Sequence, residues 1–231
     1  MASTTPILET VEQEPTRSAE AAVIWLHGLG ADGHDFASLP SQLGVSPGLA
    51  IRYVFPHAPV MPVTLNRGMK MRAWYDIVSL EARGQDEMGI RRSAAAIDGL
   101  IEREIERGVA SSQIVVGGFS QGAAMALFTG LRYPTALGGL VALSGYLPLS
   151  ESLSAEASEA NERINIFQAH GLHDNVVPNR LGQDSAELLR TTGYQVVWHD
   201  YAMAHQVCLE ELQEIGRWLN RLLEGGSQEA T

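Results

Sequence analysis

The sequence predicts an α/β domain, a mostly parallel sheet with helices on both faces. Two observations predict it. Short apolar runs alternate with stretches of helical periodicity from residue 21 to residue 225. The runs are nearly continuous in apolar residues, as strands buried on both faces are. A length of 231 residues suits one such domain with a sizeable core. Residues 21–225 read as that single domain, residues 1–20 as an edge strand or a frayed lead, and residues 226–231 as a frayed tail.

The elements follow in order. "AAVIWL" (21–26) is an apolar run that ends in His-Gly and reads as a buried strand. "DFASLPSQL" (35–43) is helical only in short pieces, because Pro40 interrupts it. "AIRYVFP" (50–56) is a strand closed by Pro56. Pro56, Pro59, Pro62 and Gly68 make 57–77 read mostly as loop, long enough to suggest a task. The span 87–108 is the clearest helix, with Ile90, Ala94, Ile97, Ile101 and Ile105 as its apolar stripe and Gly108 as its stop. A strand at 113–119, a helix at 121–134 stopped by Pro134, and a strand at 139–145 come next. After a polar surface excursion, strands at 164–171 and 194–201 alternate with helices at 178–193 and 208–225.

Composition excludes several classes. A net charge of −11 repels phosphate backbones and argues against nucleic acid as a partner. The chain has no apolar run of about 18 residues, so no membrane span is expected. Its first residues lack the basic start and apolar core of a secretory signal. Cys208 is the sole cysteine and has no internal partner. Together these features point to a cytoplasmic protein. Zinc-type Cys/His spacing and a phosphate-binding loop are both absent, so no metal or cofactor is expected.

A parallel sheet presents its functional residues at the carboxyl ends of its strands. Four polar features sit there: "HGLG" after 21–26, Ser120 after 113–119, Asp174 after 164–171 and His205 after 194–201. Gly118-Phe119-Ser120-Gln121-Gly122 matches G-x-S-x-G, in which glycines permit a sharp strand-to-helix turn that lifts the serine onto a helix N-terminus. A serine hydroxyl is a weak nucleophile and needs a base. Of seven histidines, His205 alone satisfies the chain order Ser, then acid, then His. His27 reads as a loop-shaping residue, His170 as packing or loop anchoring, and His199 as a sheet residue. His34, His57 and His173 read as loop residues. Asp174 is placed to fix the tautomer of the base, although "HDNVVP" is also good turn chemistry; Asp184 and Asp200 are weaker rivals. The backbone N–H groups of Gln121 and Leu29 are the expected oxyanion donors. For Gln121 the N–H is expected to matter more than the side-chain amide.

"HGLGADG", "GMKMRAWYDI", "GGFSQGAAMAL", "AHGLHDNVVP" and "YAMAHQVCLEEL" together resemble the small carboxylesterase and acyl-protein thioesterase family of the α/β-hydrolase superfamily. Its bacterial members are usually called carboxylesterases or phospholipase/carboxylesterases. The similarity covers roughly residues 20 to 223. The resemblance implies an α/β-hydrolase fold with no large lid domain, no metal, and Ser120, Asp174 and His205 as a triad. It implies hydrolysis of carboxylic esters or thioesters with an apolar acyl chain, and a homodimer that partly covers the site. Ala123 stands where the family often has Gly, and Asn175 where many members have Pro. Leu65, Met69, Trp74 and Val177 are candidates for an acyl groove, with packing of the loop onto the body as the alternative for Trp74. Cys208 is expected in helix packing. A lysophospholipase-type lipid hydrolase and a non-catalytic binding protein on the same fold remain as alternatives.

Overall fold

The computed structural model describes residues 8–78 and 85–225. Strand β1 (Thr10–Gln13) lies in the lead segment 1–20, of which residues 1–7 are outside the described range, as is the tail 226–231. Seven strands form one sheet in the order β1-β3-β2-β6-β7-β8-β9. Beside β1 stand β2 (Ala21–Leu26), β3 (Ile51–Pro56), β6 (Ile114–Phe119), β7 (Gly139–Leu143), β8 (Asn165–Gly171) and β9 (Gln195–Tyr201), the last at the other edge. These six run parallel, and β1 closes one edge antiparallel to β3.

Strand periodicity of two divides the core between the faces. Ala22, Ile24 and Leu26 join Val116, Leu140 and Ile166 on one face, covered by α2 (Glu87–Glu106), α3 (Gln121–Gly130) and Leu189 of α5 (Asn179–Thr191). Ala21, Val23 and Trp25 join Val115, Val141 and Phe167 on the other, covered by α1 (Leu39–Leu43) and α6 (Leu209–Gly225). Burial on both faces is why β2, β6 and β7 carry continuous apolar runs. The chain places β3 on one side of β2 and β6 on the other, so the strand order reverses there. A crevice at the carboxyl ends of strands opens at such a reversal. "HGLG" and Ser120 are the loops that flank it.

Several elements differ from the sequence reading. The stretch 57–77 holds an antiparallel hairpin, β4 (Val60–Val63) and β5 (Met69–Arg72), joined by a 3-10 turn at Thr64–Asn66. Pro62 is tolerated because a two-stranded ribbon has free edges. Arg67 and Gly68 turn the chain with φ of 57° and 75°. The asparate-anchored side of the turn is tied down by Asp76, which accepts from Thr64 N at 2.7 Å and Thr64 Oγ1 at 2.6 Å. Helix α3 stops at Gly130, four residues before Pro134. Ile105 leaves the stripe of α2 and is exposed, while Glu104 is buried. An ion pair from Arg52 of β3 to Glu104, at 2.8 Å, reverses the order that hydrophobicity alone predicts. The surface excursion holds only 3-10 turns and the short helix α4 (Leu153–Glu156).

Candidate active site

Ser120 sits between β6 and α3 with φ 58° and ψ −120°, a conformation that costs a residue with a Cβ on the order of 1–3 kcal/mol. The surrounding packing enforces it. Ser120 N donates to Leu143 O of the neighbouring strand at 2.8 Å. A Cβ on Gly122 would lie 2.1 Å from Leu26 O, so glycine lets α3 start directly against the end of β2. The strain and the close approach together hold the hydroxyl at the crevice.

His205 lies in the loop after β9, with Nε2 2.9 Å from Ser120 Oγ and Nδ1 2.7 Å from Asp174 Oδ2. Asp174 lies in the loop after β8, and its side chain is fully buried. Its Oδ1 accepts from the N–H groups of Val176 and Val177, each at 2.9 Å. A carboxylate held by two amides is fixed in place, and it directs the Nδ1 proton of His205. Nε2 is then free to accept the serine proton. The acid and base loops are joined to each other: Leu172 N donates to Tyr201 O at 2.8 Å and His173 N to Met203 O at 3.0 Å. The structure thus brings Ser120, Asp174 and His205 into one hydrogen-bonded line.

The loop carrying Leu29 is braced from several sides. Ala58 N donates to His27 Nε2 at 3.0 Å, so the proton of this neutral ring is on Nδ1, which donates to Gly28 O at 2.7 Å. Burial keeps His27 below the usual imidazole range. Trp74 Nε1 donates to His27 O at 2.9 Å, and Gly30 N donates to Arg72 O at 2.8 Å. Gly30 has a φ of 78°, which turns the chain after Leu29. Among the described residues, neither Leu29 N nor Gln121 N donates to another protein group. Two unpaired donors beside the serine suit a developing oxyanion.

The Gln121 side chain does more than the sequence reading allowed. It is buried, its Oε1 accepts from Trp74 N at 2.8 Å, and its Nε2 donates to Tyr75 O at 2.7 Å. The residue that offers an oxyanion N–H therefore also ties down the Trp74 segment, which in turn holds His27. A glutamine beside a motif serine gives no sign in the sequence of such a distant partner.

A cavity of about 420 Å3 opens at Ser120, with Leu29, Phe36, Phe119, Val176 and Val207 as its apolar wall. Among the described residues, Asp35 is the only carboxylate in that wall, and no Lys or Arg lines it. Leu65, Met69, Trp74 and Val177 do not line it. Leu65 and Met69 are 50% and 65% exposed on the hairpin, whereas Trp74 and Val177 are buried. The wall residues Phe36, Phe119 and Val207 are not among the sequence candidates. Phe119 and Val207 lie within two residues of Ser120 and His205, which is the signal that could have found them. A larger groove of about 530 Å3, with Leu153, Leu188 and Tyr194 in its wall, contains no histidine to activate its serines. Among the described residues, no cluster of three His, Cys, Asp or Glu side chains is placed to hold a metal. No helix there is long and apolar enough to cross a membrane.

Residues 9–223 match the family described as Phospholipase/Carboxylesterase. The chain is 43% identical over 213 residues to acyl-protein thioesterase 1 of Neurospora crassa, covering 88% of this chain and 87% of that one. It is 38% identical over 212 residues to acyl-protein thioesterase 1 of Yarrowia lipolytica, covering 89% and 93%. The crystal structure of Zea mays acyl-protein thioesterase 2 superposes with a TM-score of 0.83 at 31% identity, over 93% of this chain and 99% of that one. These two sequence relatives are fungal, not bacterial. The chain is a hydrolase and belongs to the phospholipase/carboxylesterase family of α/β-hydrolases.

Proposed function

We propose that the protein hydrolyses carboxylic esters and acyl thioesters with apolar acyl groups, through an acyl-enzyme on Ser120. The observation that carries this reading is the Ser120–His205–Asp174 line, with contacts of 2.9 and 2.7 Å at the mouth of an apolar cavity. His205 Nε2 takes the hydroxyl proton as Ser120 Oγ bonds to the carbonyl carbon, and the carbonyl electron pair moves onto oxygen. The N–H groups of Leu29 and Gln121 receive that oxyanion. Collapse breaks the bond to the leaving group, which departs as alcohol or thiol with the proton from His205. A water molecule deprotonated by His205 then attacks the acyl carbon. The second collapse releases the acid and returns the proton to Ser120 Oγ. No cofactor takes part.

Thioester cleavage is supported by relatives that bear the name acyl-protein thioesterase, and the apolar wall of the cavity supports an apolar acyl group. The lysophospholipase alternative is weaker, because among the described residues the wall offers Asp35 and no cation to a phosphate. The intact Ser120–His205–Asp174 line weighs against a non-catalytic binding protein. We assign the protein to the cytoplasm and to a homodimer. The homodimer follows from the family resemblance and is checked by light scattering on the purified chain. Ser120→Ala is expected to lower turnover of a p-nitrophenyl ester by about a thousandfold or more. Near-wild-type turnover by that variant overturns the assignment. A series of esters and thioesters of increasing chain length, compared by kcat/KM, then fixes the substrate range.

A further inference from the structure

His170 lies at the end of β8, fully buried, and takes no part in the mechanism above. Its Nε2 is 2.8 Å from Val177 O and 3.3 Å from Asp174 Oδ2. Both neighbours are acceptors, so Nε2 carries the proton. Nδ1 is buried with no hydrogen-bond partner among the described residues. A second proton there would be a buried, unpaired donor, which is unfavourable. The ring is therefore held as the neutral Nε2–H tautomer, and burial keeps its proton affinity below the usual imidazole range. The charged and titratable groups that face it are Asp174, His205 and Asp200.

The contacts close a ring. His170 donates to the carbonyl of Val177, and the amide of Val177 donates to Asp174 Oδ1. His170 Nε2 also stands beside Asp174 Oδ2, the oxygen that receives His205 Nδ1. One imidazole thus braces the residue that holds one carboxylate oxygen and adds positive potential at the other. The ring is wedged in place. Its neighbour on one side is Trp198, with ring centroids 6.2 Å apart, and on another Gly182, where a Cβ would meet Nδ1 at 2.4 Å.

We propose that His170 is a positioning residue for the catalytic acid, fixing Asp174 and dividing its negative charge between two histidines. The proposal rests on the Ser120–His205–Asp174 reading. When the Nε2–H is lost, the carboxylate charge falls on His205 alone and favours its protonated form. The base is then withdrawn at higher pH.

The test compares His170→Phe, His170→Gln and Gly182→Ala with wild type. kcat and KM for a short p-nitrophenyl ester are measured from pH 5 to pH 9, with circular dichroism to confirm folding. His170→Phe is expected to lower kcat about tenfold or more with KM little changed, because it removes the donor to Val177 O and the N–H dipole beside Asp174 Oδ2. It should also move the acid limb of kcat/KM upward by about half a pH unit or more. His170→Gln restores a donor and should recover most of both effects. Gly182→Ala displaces the ring and should mimic His170→Phe. A folded His170→Phe enzyme with wild-type kcat and pH profile overturns the proposal. So does an equal loss in the Phe and Gln variants with an unmoved acid limb, which marks packing alone. Histidine nitrogen NMR on the wild-type enzyme needs no variant. A neutral Nε2–H tautomer at His170 throughout this pH range supports the proposal, and an Nδ1–H tautomer or a titrating ring refutes it. A Ser120→Ala enzyme that stays active sinks the underlying triad, whereas an inactive one beside an unaffected His170→Phe sinks only this proposal.

Discussion

Ser120 holds a backbone conformation that favours glycine, so two inactive variants at this position should differ in stability. Ser120→Ala keeps the Cβ at φ 58° and ψ −120°, and with it the strain. Ser120→Gly removes the Cβ and relieves strain of about 1–3 kcal/mol. Glycine also gains freedom in the unfolded chain, which offsets about 0.4–1 kcal/mol of that relief. Both variants lose the 2.9 Å hydrogen bond to His205, so that loss cancels in the comparison. The net expectation is that Ser120→Gly is more stable than Ser120→Ala by about 1 kcal/mol. For a domain of this size that is roughly 2–4 °C in Tm. Urea unfolding of the two variants under one set of conditions reads the difference directly. If the Ala variant is equally or more stable, the strain attributed to the serine is not there. The idea that packing of Gly122 against Leu26 O forces the turn would then fall with it.

Two further predictions address the supporting structure. Gln121→Leu leaves Trp74 N and Tyr75 O buried without partners, so urea unfolding should show a loss of about 2–4 kcal/mol. Its kcat should fall more than its KM rises, because the loop of Leu29 loses its brace, and an unchanged stability would show that the amide is dispensable. Glu211 is buried, with both carboxylate oxygens unpartnered among the described residues, and burial pushes it up to about 8. The folded state holds that proton between pH 4.5 and about 8 while the unfolded chain releases it, so the stabilising contribution present below pH 4.5 is lost as pH rises through that window. Glu211→Gln should therefore gain on wild type by up to about 1 kcal/mol per pH unit across this window, read as the difference in Tm at pH 5 and pH 8. A constant difference between the two proteins would refute it.

The parts legible in the sequence share one physical cause. Strands β2, β6 and β7 are buried on both faces, so each is written as an unbroken apolar run, and the ends of β2 and β6 locate "HGLG" and Ser120, while Asp174 and His205 follow β8 and β9. Parallel topology then gathers those ends on one side of the sheet without any local signal of contact. The parts that were not legible depend on partners remote in sequence. Glu104 is buried because Arg52, 52 residues away, meets it. Gln121 folds inward because Trp74 N, 47 residues away, needs an acceptor. β1 lies at a sheet edge, half-buried throughout, and has no apolar run to announce it. The hairpin at Val60–Arg72 was obscured by prolines that a free edge accommodates. Val177 was one of four candidates for the acyl groove, but its side chain is buried, and its exposed neighbour Val176 lines the cavity.

The central claim is that Ser120 is the nucleophile activated by His205. Fluorophosphonate labelling with the site mapped by mass spectrometry tests it most directly. The account predicts one adduct per chain, on the peptide containing Ser120, with labelling abolished in Ser120→Ala and strongly slowed in His205→Ala. An adduct on another residue, or no adduct in an enzyme that still turns over esters, would contradict it.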